Sequence, residues 1–520
     1  MKRSLRLAVV ILGLLLFRGC GDDVNPTFHA VCEAICESVL KCFPNGTLSE
    51  CVGVCLDEVG NPPCDTNQAA LDACVAAYPR LSCTALEDGA VPTECNHVCS
   101  GEQVCEGVDC NDDNDCTDDI CNLADGSCDF TAVADGTVCA AGAGACHQGI
   151  CMAEFPCTEE GVLEAISLGG GPHTFDCAGP TTVTTTAEIV IDRDVILDGE
   201  GNLRLDGNDS HRVVRTAWVG SPTVGLRGLM LTGGRSTEGE GAAGIFNESG
   251  RLTLTDSTVS GNTAEGAHDV AGGAILNFGT LTLINSTVFG NMARDSSGGG
   301  IYNGDRLTLI DSTVSQNTAH ESGGGIYNDG EGIVILINST VSENEAGASG
   351  GGIGNRAQLT LTNSTVSGNT ASQESDGIFN DFGTLTLTNS TVFGNAAANG
   401  GTIHGGDWTS TNSVIVGDCL YARVSSGGHN IESPGDTCGF DEEGDQASVS
   451  AEELKLGELA DNGGSTETHA LLPGGVAIDH VLEAACVDAE GAPLTEDQRG
   501  VPRPQGPACD SGAFELEVAP

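Results

Sequence analysis

Aromatic side chains make up only 4% of this 520-residue chain, and Lys and Arg together number 20 against 74 Asp and Glu. The resulting formal charge of −54 repels phosphate. That excludes nucleic acid as a partner and opposes docking on an anionic membrane face. With two tryptophans (Trp218, Trp408) and four tyrosines, there is little material for the stacking platforms on which proteins hold sugars. Apart from residues 7–17 (LAVVILGLLLF), itself only about half the length a membrane span needs, no segment is strongly apolar. P-loop, dinucleotide and nucleophile-elbow fingerprints are missing. Cysteine is absent between Cys177 and Cys419, although the chain holds 25, too many for a reducing compartment. The length calls for several domains.

The amino terminus accounts for the odd cysteine. Lys2, Arg3 and Arg6 precede the apolar run, as in a secretory signal peptide. The sequence Phe17-Arg18-Gly19-Cys20 that follows resembles the cleavage box of bacterial lipoproteins, with Cys20 the residue to be acylated. Phe17 and Arg18 depart from that pattern, and an ordinary signal peptide is the alternative. The expectation is an exported chain, on the cell surface or outer membrane through a lipid on Cys20, or else secreted.

Of the remaining 24 cysteines, 18 fall between Cys32 and Cys151. In residues 21–92, Cys32, Ile35, Cys36, Val39 and Leu40 mark one helical face, and Cys51, Val54, Cys55 and Val59 mark another. Two antiparallel helices would allow Cys32–Cys55 and Cys36–Cys51, other connectivities staying open. Residues 93–155 read as a loop-rich module. Its acidic patch, including Asp109, Asn111, Asp113 and Asp115, offers oxygens of the kind calcium takes. It lacks the central glycine and closing glutamate of an EF-hand loop, so a solvated acidic loop with no cofactor is expected, structural calcium being the alternative.

From residue 240 to 416 the chain repeats. S-T-V-[SF]-x-N begins at Ser257, Ser286, Ser312, Ser339, Ser364 and Ser390, at spacings of 29, 26, 27, 25 and 26. G-I-x-N or a variant places one of Ile245, Ile275, Ile301, Ile326, Ile353 and Ile378 in each repeat, and L-T-L usually stands between the two phrases. β-branched runs of period two, punctuated by Gly, Asn and Asp, exclude helices. Such repeats predict an all-β fold over residues 156–418, a right-handed parallel β-helix with three strands per coil and a closing segment over 419–520. Ile301, Leu307, Leu309 and Val314 would face inward in one coil. Some ten coils would give a rod on the order of 50 Å. Two asparagine columns support the stacking. Asn247, Asn277, Asn303, Asn328, Asn355 and Asn380 form one; Asn262, Asn291, Asn317, Asn344, Asn369 and Asn395 form the other. Asn suits a left-handed corner, and its amide can bond its equivalent one coil away. Distribution leaves Cys157–Cys177 for the entry, and Cys419–Cys438 and Cys486–Cys509 for the exit.

The GGAILN phrase at residues 272–277 resembles repeats of polymorphic outer-membrane proteins. The entry (CTEEGVLEAISLGGGPHTF) and the exit (DNGGSTETHALLPGGVAID, DQRGVPRPQGPACDSGAFE) resemble β-helix proteins with a choice-of-anchor Q domain. That resemblance implies extracellular display on a β-helix and no particular reaction.

Catalysis is not expected. Arg251, Arg306 and Arg356 look roughly aligned but have no carboxylate pair at a fixed offset, and residues 427–430 (GGHN) lack acidic and basic partners nearby. The histidines are scattered, His268 and His320 in variable loops. The reading is a stalk or adhesin-like display module with an unknown surface ligand or protein partner, a polysaccharide lyase or hydrolase being the alternative. Length variation gathers in the loops after Asn262, Asn291, Asn317, Asn344 and Asn369, the edge where a ligand would be sought.

Overall fold

The computed structural model describes residues 117–121, 128–132, 138–139, 144–147 and 150–517, apart from 238–240, 266–271, 398–400 and 489–490. Cys20, the helical hairpin with its Cys32–Cys55 and Cys36–Cys51 pairings, and the acidic donors Asp109, Asn111, Asp113 and Asp115 lie outside these residues. The chain divides into two compact units, residues 1–137 with 146–150, and residues 138–145 with 151–520. The described part of the first includes an antiparallel pair, Thr117–Cys121 with Cys128–Ala132. Regular pairing therefore occurs within a module whose sequence reads as loops.

The second unit is a parallel β-solenoid of about nine turns. Its entry is closed by a helix, Glu159–Leu168, capped where the Thr158 hydroxyl accepts from Gly161 N. Val162, Ala165 and Ile166 on its inner side are buried against the first coil. One parallel sheet has ten rungs, from Ile189–Ile191 through the G-I-x-N strands to Cys419–Leu420. The L-T-L and S-T-V runs pair in register with their own equivalents in the next coil, as Leu281↔Leu307 and Val288↔Val314. Besides the three expected runs, each middle coil has a fourth strand of two residues, such as Thr318–Ala319, in a seven-stranded sheet of its own. Ala is small enough to let this strand close tightly over the interior.

Ile301, Leu307, Leu309 and Val314 are fully buried, as are their counterparts above and below. At about 1.5–3 kcal/mol for each buried aliphatic side chain, the columns stabilise the rod only because both neighbouring coils cover each layer.

Both asparagine columns are continuous hydrogen-bond ladders. In the first, each Nδ2 donates to the next Oδ1, from Asn247–Asn277 at 2.7 Å to Asn355–Asn380 at 2.7 Å. In the second, Asn317 Nδ2 donates to Asn344 Oδ1 at 3.0 Å and to Val288 O at 3.0 Å. Neither column, however, occupies the left-handed corner. That conformation falls to the residue before S-T-V, Asp256, Asn285, Asp311, Asn338, Asn363, Asn389 and Asn412, with φ between 47° and 53°, and to the residue before the second ladder, Gly261, Gly290, Gln316, Glu343, Gly368 and Gly394, with φ between 55° and 64°. The first ladder's residues end the G-I-x-N strands, and both ladders point their amides to the next coil, whereas the corner before S-T-V takes the short Asn or Asp that tolerates positive φ. A serine ladder also runs through the repeat, Ser286 N donating to Ser312 Oγ and Ser312 N to Ser339 Oγ, at 3.1 and 3.2 Å.

The carboxy-terminal segment folds back along the side of the solenoid. Thr340, Thr365 and Thr391, outward on the S-T-V strands, are buried beneath it. Gln498 joins the two layers: Thr365 donates to its Oε1 at 2.6 Å, and its Nε2 donates to Thr340 and Thr466, each at 2.8 Å. The exit phrase is a buried charged knot. Arg499 pairs with Asp497 at 2.7 Å and lies over the Phe514 ring at 3.6 Å. Arg503 donates to the carbonyls of Asp510 and Gly512. Disulfides join Cys157 to Cys177, Cys419 to Cys438 and Cys486 to Cys509.

Candidate functional site

The variable position of G-I-x-N faces outward on the ten-stranded sheet and carries much of what aromatic content the chain has. Register aligns Phe246, Leu276, Tyr302, Tyr327, Gly354, Phe379 and His404 in one column. Phe278, Phe382 and Tyr421 join it from the adjoining turns, so the column becomes a stripe in which Phe246–Phe278, Phe278–Tyr302 and Tyr302–Tyr327 centroids are 6.1, 6.4 and 5.3 Å apart.

The stripe has two parts. Over the earlier coils Tyr302 and Tyr327 are packed down while Phe278 is 40% exposed; Tyr302 donates to Asp329 Oδ2 at 2.6 Å. Burial, then Asp329, pushes its phenol well above the ordinary range. Tyr327 leans into the space left by Gly354, where a Cβ would sit 2.9 Å from its ring, and the Arg356 guanidinium lies 5.9 Å from its centroid. Beyond Arg356 the stripe opens into a cleft of about 380 Å³. Phe379 and His404 form its floor with centroids 5.5 Å apart, and Tyr421 follows at 5.1 Å from His404. Phe382 and Tyr421 stand out at its edges, 96% and 86% exposed. Glu374, Asp381, Asp407 and Arg423 complete the lining.

Two of those carboxylates are already engaged. Asp381 accepts from Arg356 Nε at 3.0 Å, and Asp407 pairs with Arg423 at 2.7 Å. Cleavage of a glycosidic bond by paired carboxyl groups needs one of them held as an acid against an apolar wall. Here both lie against guanidinium groups, an arrangement made for hydrogen bonding at a rim. A second hollow, near Asp198, Glu200, Arg227 and Asp256, has no aromatic wall.

The other residues singled out by sequence have structural positions. Arg251 and Arg306 share one rung position, which Gln358 and not Arg356 occupies in its coil, because Arg356 sits in the turn two residues earlier. His429 lies in a left-handed turn, and buried Asn430 is bound to Asp445 and Ser410. Trp408 replaces Leu385 in the core column, leaving Trp218 as the exposed indole. Among the later loops of the variable edge, Ser297 donates to Glu321 at 3.4 Å; residues 266–271 of the first are not described. Of two Ser–His contacts, Ser367–His469 is buried and Ser511–His480 is part-buried, and Ser511 gives its proton to His429 O rather than to the imidazole. Among the described residues no cluster of three or more His, Cys, Asp or Glu is placed to hold a metal ion.

Counting Trp and Tyr missed the aromatic stripe, since half of it is Phe. The signal was the phase: every residue x of G-I-x-N meets its equivalent one coil away.

No family model and no curated protein matches this chain. Among solved structures it is similar to one described as the crystal structure of pectate lyase Pel9A, at 16% identity over 68% of this chain and 90% of the other, with a TM-score of 0.38. That likeness is to a β-helix scaffold and carries no argument about chemistry.

Proposed function

We propose that this is an exported surface protein whose solenoid acts as a display rod with a binding site on its side, and which does not catalyse a reaction. The observation that carries this reading is where the repeat spends its polar groups. The ladder Asn residues and the first Ser of S-T-V in each middle coil bond to neighbouring coils and are buried, leaving the outer aromatic cleft as a feature free to meet a ligand. Export and anchoring through Cys20 are supported by the lipobox-like sequence, by the disulfides, and by the resemblance of both ends of the rod to choice-of-anchor Q proteins. The expected result is partitioning into the detergent phase and acyl labelling, both lost in Cys20→Ser. Labelling that persists in that variant would remove Cys20 as the anchor. Shortening of glycan polymers by the protein, with or without calcium, would overturn the non-catalytic reading.

A further inference from the structure

We infer that the cleft at Phe379, His404 and Tyr421 binds a neutral glycan and so supplies the contact made by the display rod; this rests on the display reading above. Three observations lead to it.

The first is how the rings are presented. Phe382 and Tyr421 have φ of 61° and 52°. Bulky side chains rarely adopt that left-handed backbone, and strained positions of this kind concentrate at ligand sites. Elsewhere on this rod the same conformation is given chiefly to Gly, Asn and Asp. Here it holds two rings almost wholly in solvent, where the Tyr421 contact with His404 is the one ring contact set against the strain.

The second is charge. Asp381 with Arg356 and Asp407 with Arg423 are matched pairs, so Glu374 alone is left uncompensated by the ion pairs of the lining. A cationic ligand would have to compete with both guanidinium groups, and an anionic one would enter the field of a chain carrying −54. A neutral ligand rich in hydroxyls meets neither cost. Its hydroxyls can donate to the carboxylates and accept from the guanidinium N–H groups, while its C–H faces lie on the rings.

The third is period. Phe379, His404 and the segment carrying Tyr421 lie on three successive rungs, with ring steps of 5.5 and 5.1 Å. Each step is comparable to the length of one pyranose unit, so a linear glycan running along the rod would meet one ring per sugar. Arg356 over Tyr327 closes the cleft on the side of the earlier coils, which limits the contact to a few sugars.

The test uses the full chain in native gels containing hydroxyethylcellulose, galactomannan, polygalacturonate or chitosan, backed by a neutral-glycan array. Tyr421→Ala with Phe382→Asn removes both exposed rings, Asn being at home in the left-handed turn. Neither side chain is buried, so melting should be unchanged. Trp218→Ala removes an exposed indole several coils away, as a control. Binding to a neutral polymer or array glycan, weakened at least tenfold by the double variant and unchanged in Trp218→Ala, is expected. No neutral binding, equal binding by the double variant, or binding to the charged polymers alone would overturn the inference. Glycan binding that survives Cys20→Ser, or anchoring that survives loss of the rings, keeps this outcome separate from that of the anchor.

Discussion

Replacing Asn317 by Ala tests whether the amide ladder contributes to the stability of the rod or merely accompanies it. Asn317 Oδ1 accepts from Asn291 N at 3.0 Å and from Asn291 Nδ2 at 2.9 Å; its own Nδ2 donates to Asn344 Oδ1 and to Val288 O. Asn291 Nδ2 and Asn344 Oδ1 keep other partners after the change. The Asn291 N–H and the lone pair on Val288 O that Asn317 served do not. Each newly orphaned buried group costs about 1–3 kcal/mol, and the hole left by the amide adds to it, so the loss should be about 3–6 kcal/mol. Because each coil meets only its neighbours, the cost falls on two interfaces and spares the ends. Guanidinium unfolding gives the magnitude, and hydrogen exchange read by mass spectrometry gives the location, with lost protection centred on residues 288–292. A cost below about 1 kcal/mol, or deprotection spread evenly along the rod, would refute the reasoning.

Gln498→Ala should orphan the Thr365 hydroxyl and loosen the returning segment, at a cost of about 1–3 kcal/mol. Thermolysin should then cut residues 456–517 faster than in the parent; equal rates would show that Gln498 does not hold the segment. Stability should also depend on pH through Asp510, whose carboxyl is pushed up to about 6 by burial despite the N–H groups of Leu516 and Asp479. Between about 4 and about 6 the unfolded chain binds fewer protons there than the folded one, so stability falls as pH rises through that window. Asp510→Asn should flatten the melting profile over that range, and a profile parallel to the parent's would contradict the assignment.

The solenoid was legible because its signal is repetition. Ile, Leu and Val at fixed phase define the inward columns, and Asn recurring once per coil defines the ladders. Which of three Asn or Asp columns takes the left-handed corner was not legible, since composition makes all three equally suitable. Only the backbone separates an amide aimed along the axis from a side chain placed at a turn. The cleft was hidden for another reason. Phe379, His404 and Tyr421 look unrelated in sequence, and the Tyr421 coil has lost G-I-x-N, so their alignment appears only when Ile378, Ile403 and Cys419 are seen to pair. The exit phrases marked a closing segment but not the face it covers, because its partners on the coils lie about 70 to 160 residues away.

The covered corners also work as a ruler. Asn363, Asn389 and Asn412 each give an amide hydrogen to a carbonyl of the returning segment, at 2.8, 3.0 and 2.7 Å, and Asn338 O accepts from Thr466. The coil before Asn338 has Asp311 at the same corner, and a carboxylate there cannot donate to a carbonyl. A chain that gained a coil bearing Asn would let the segment shift by one rung and find the same partners. One that gained a coil bearing Asp within the covered stretch would set charge against carbonyl oxygen and lift the segment off. An added coil is therefore expected to be tolerated near the entry and to be constrained near the exit by the amide nitrogens of Asn363, Asn389 and Asn412.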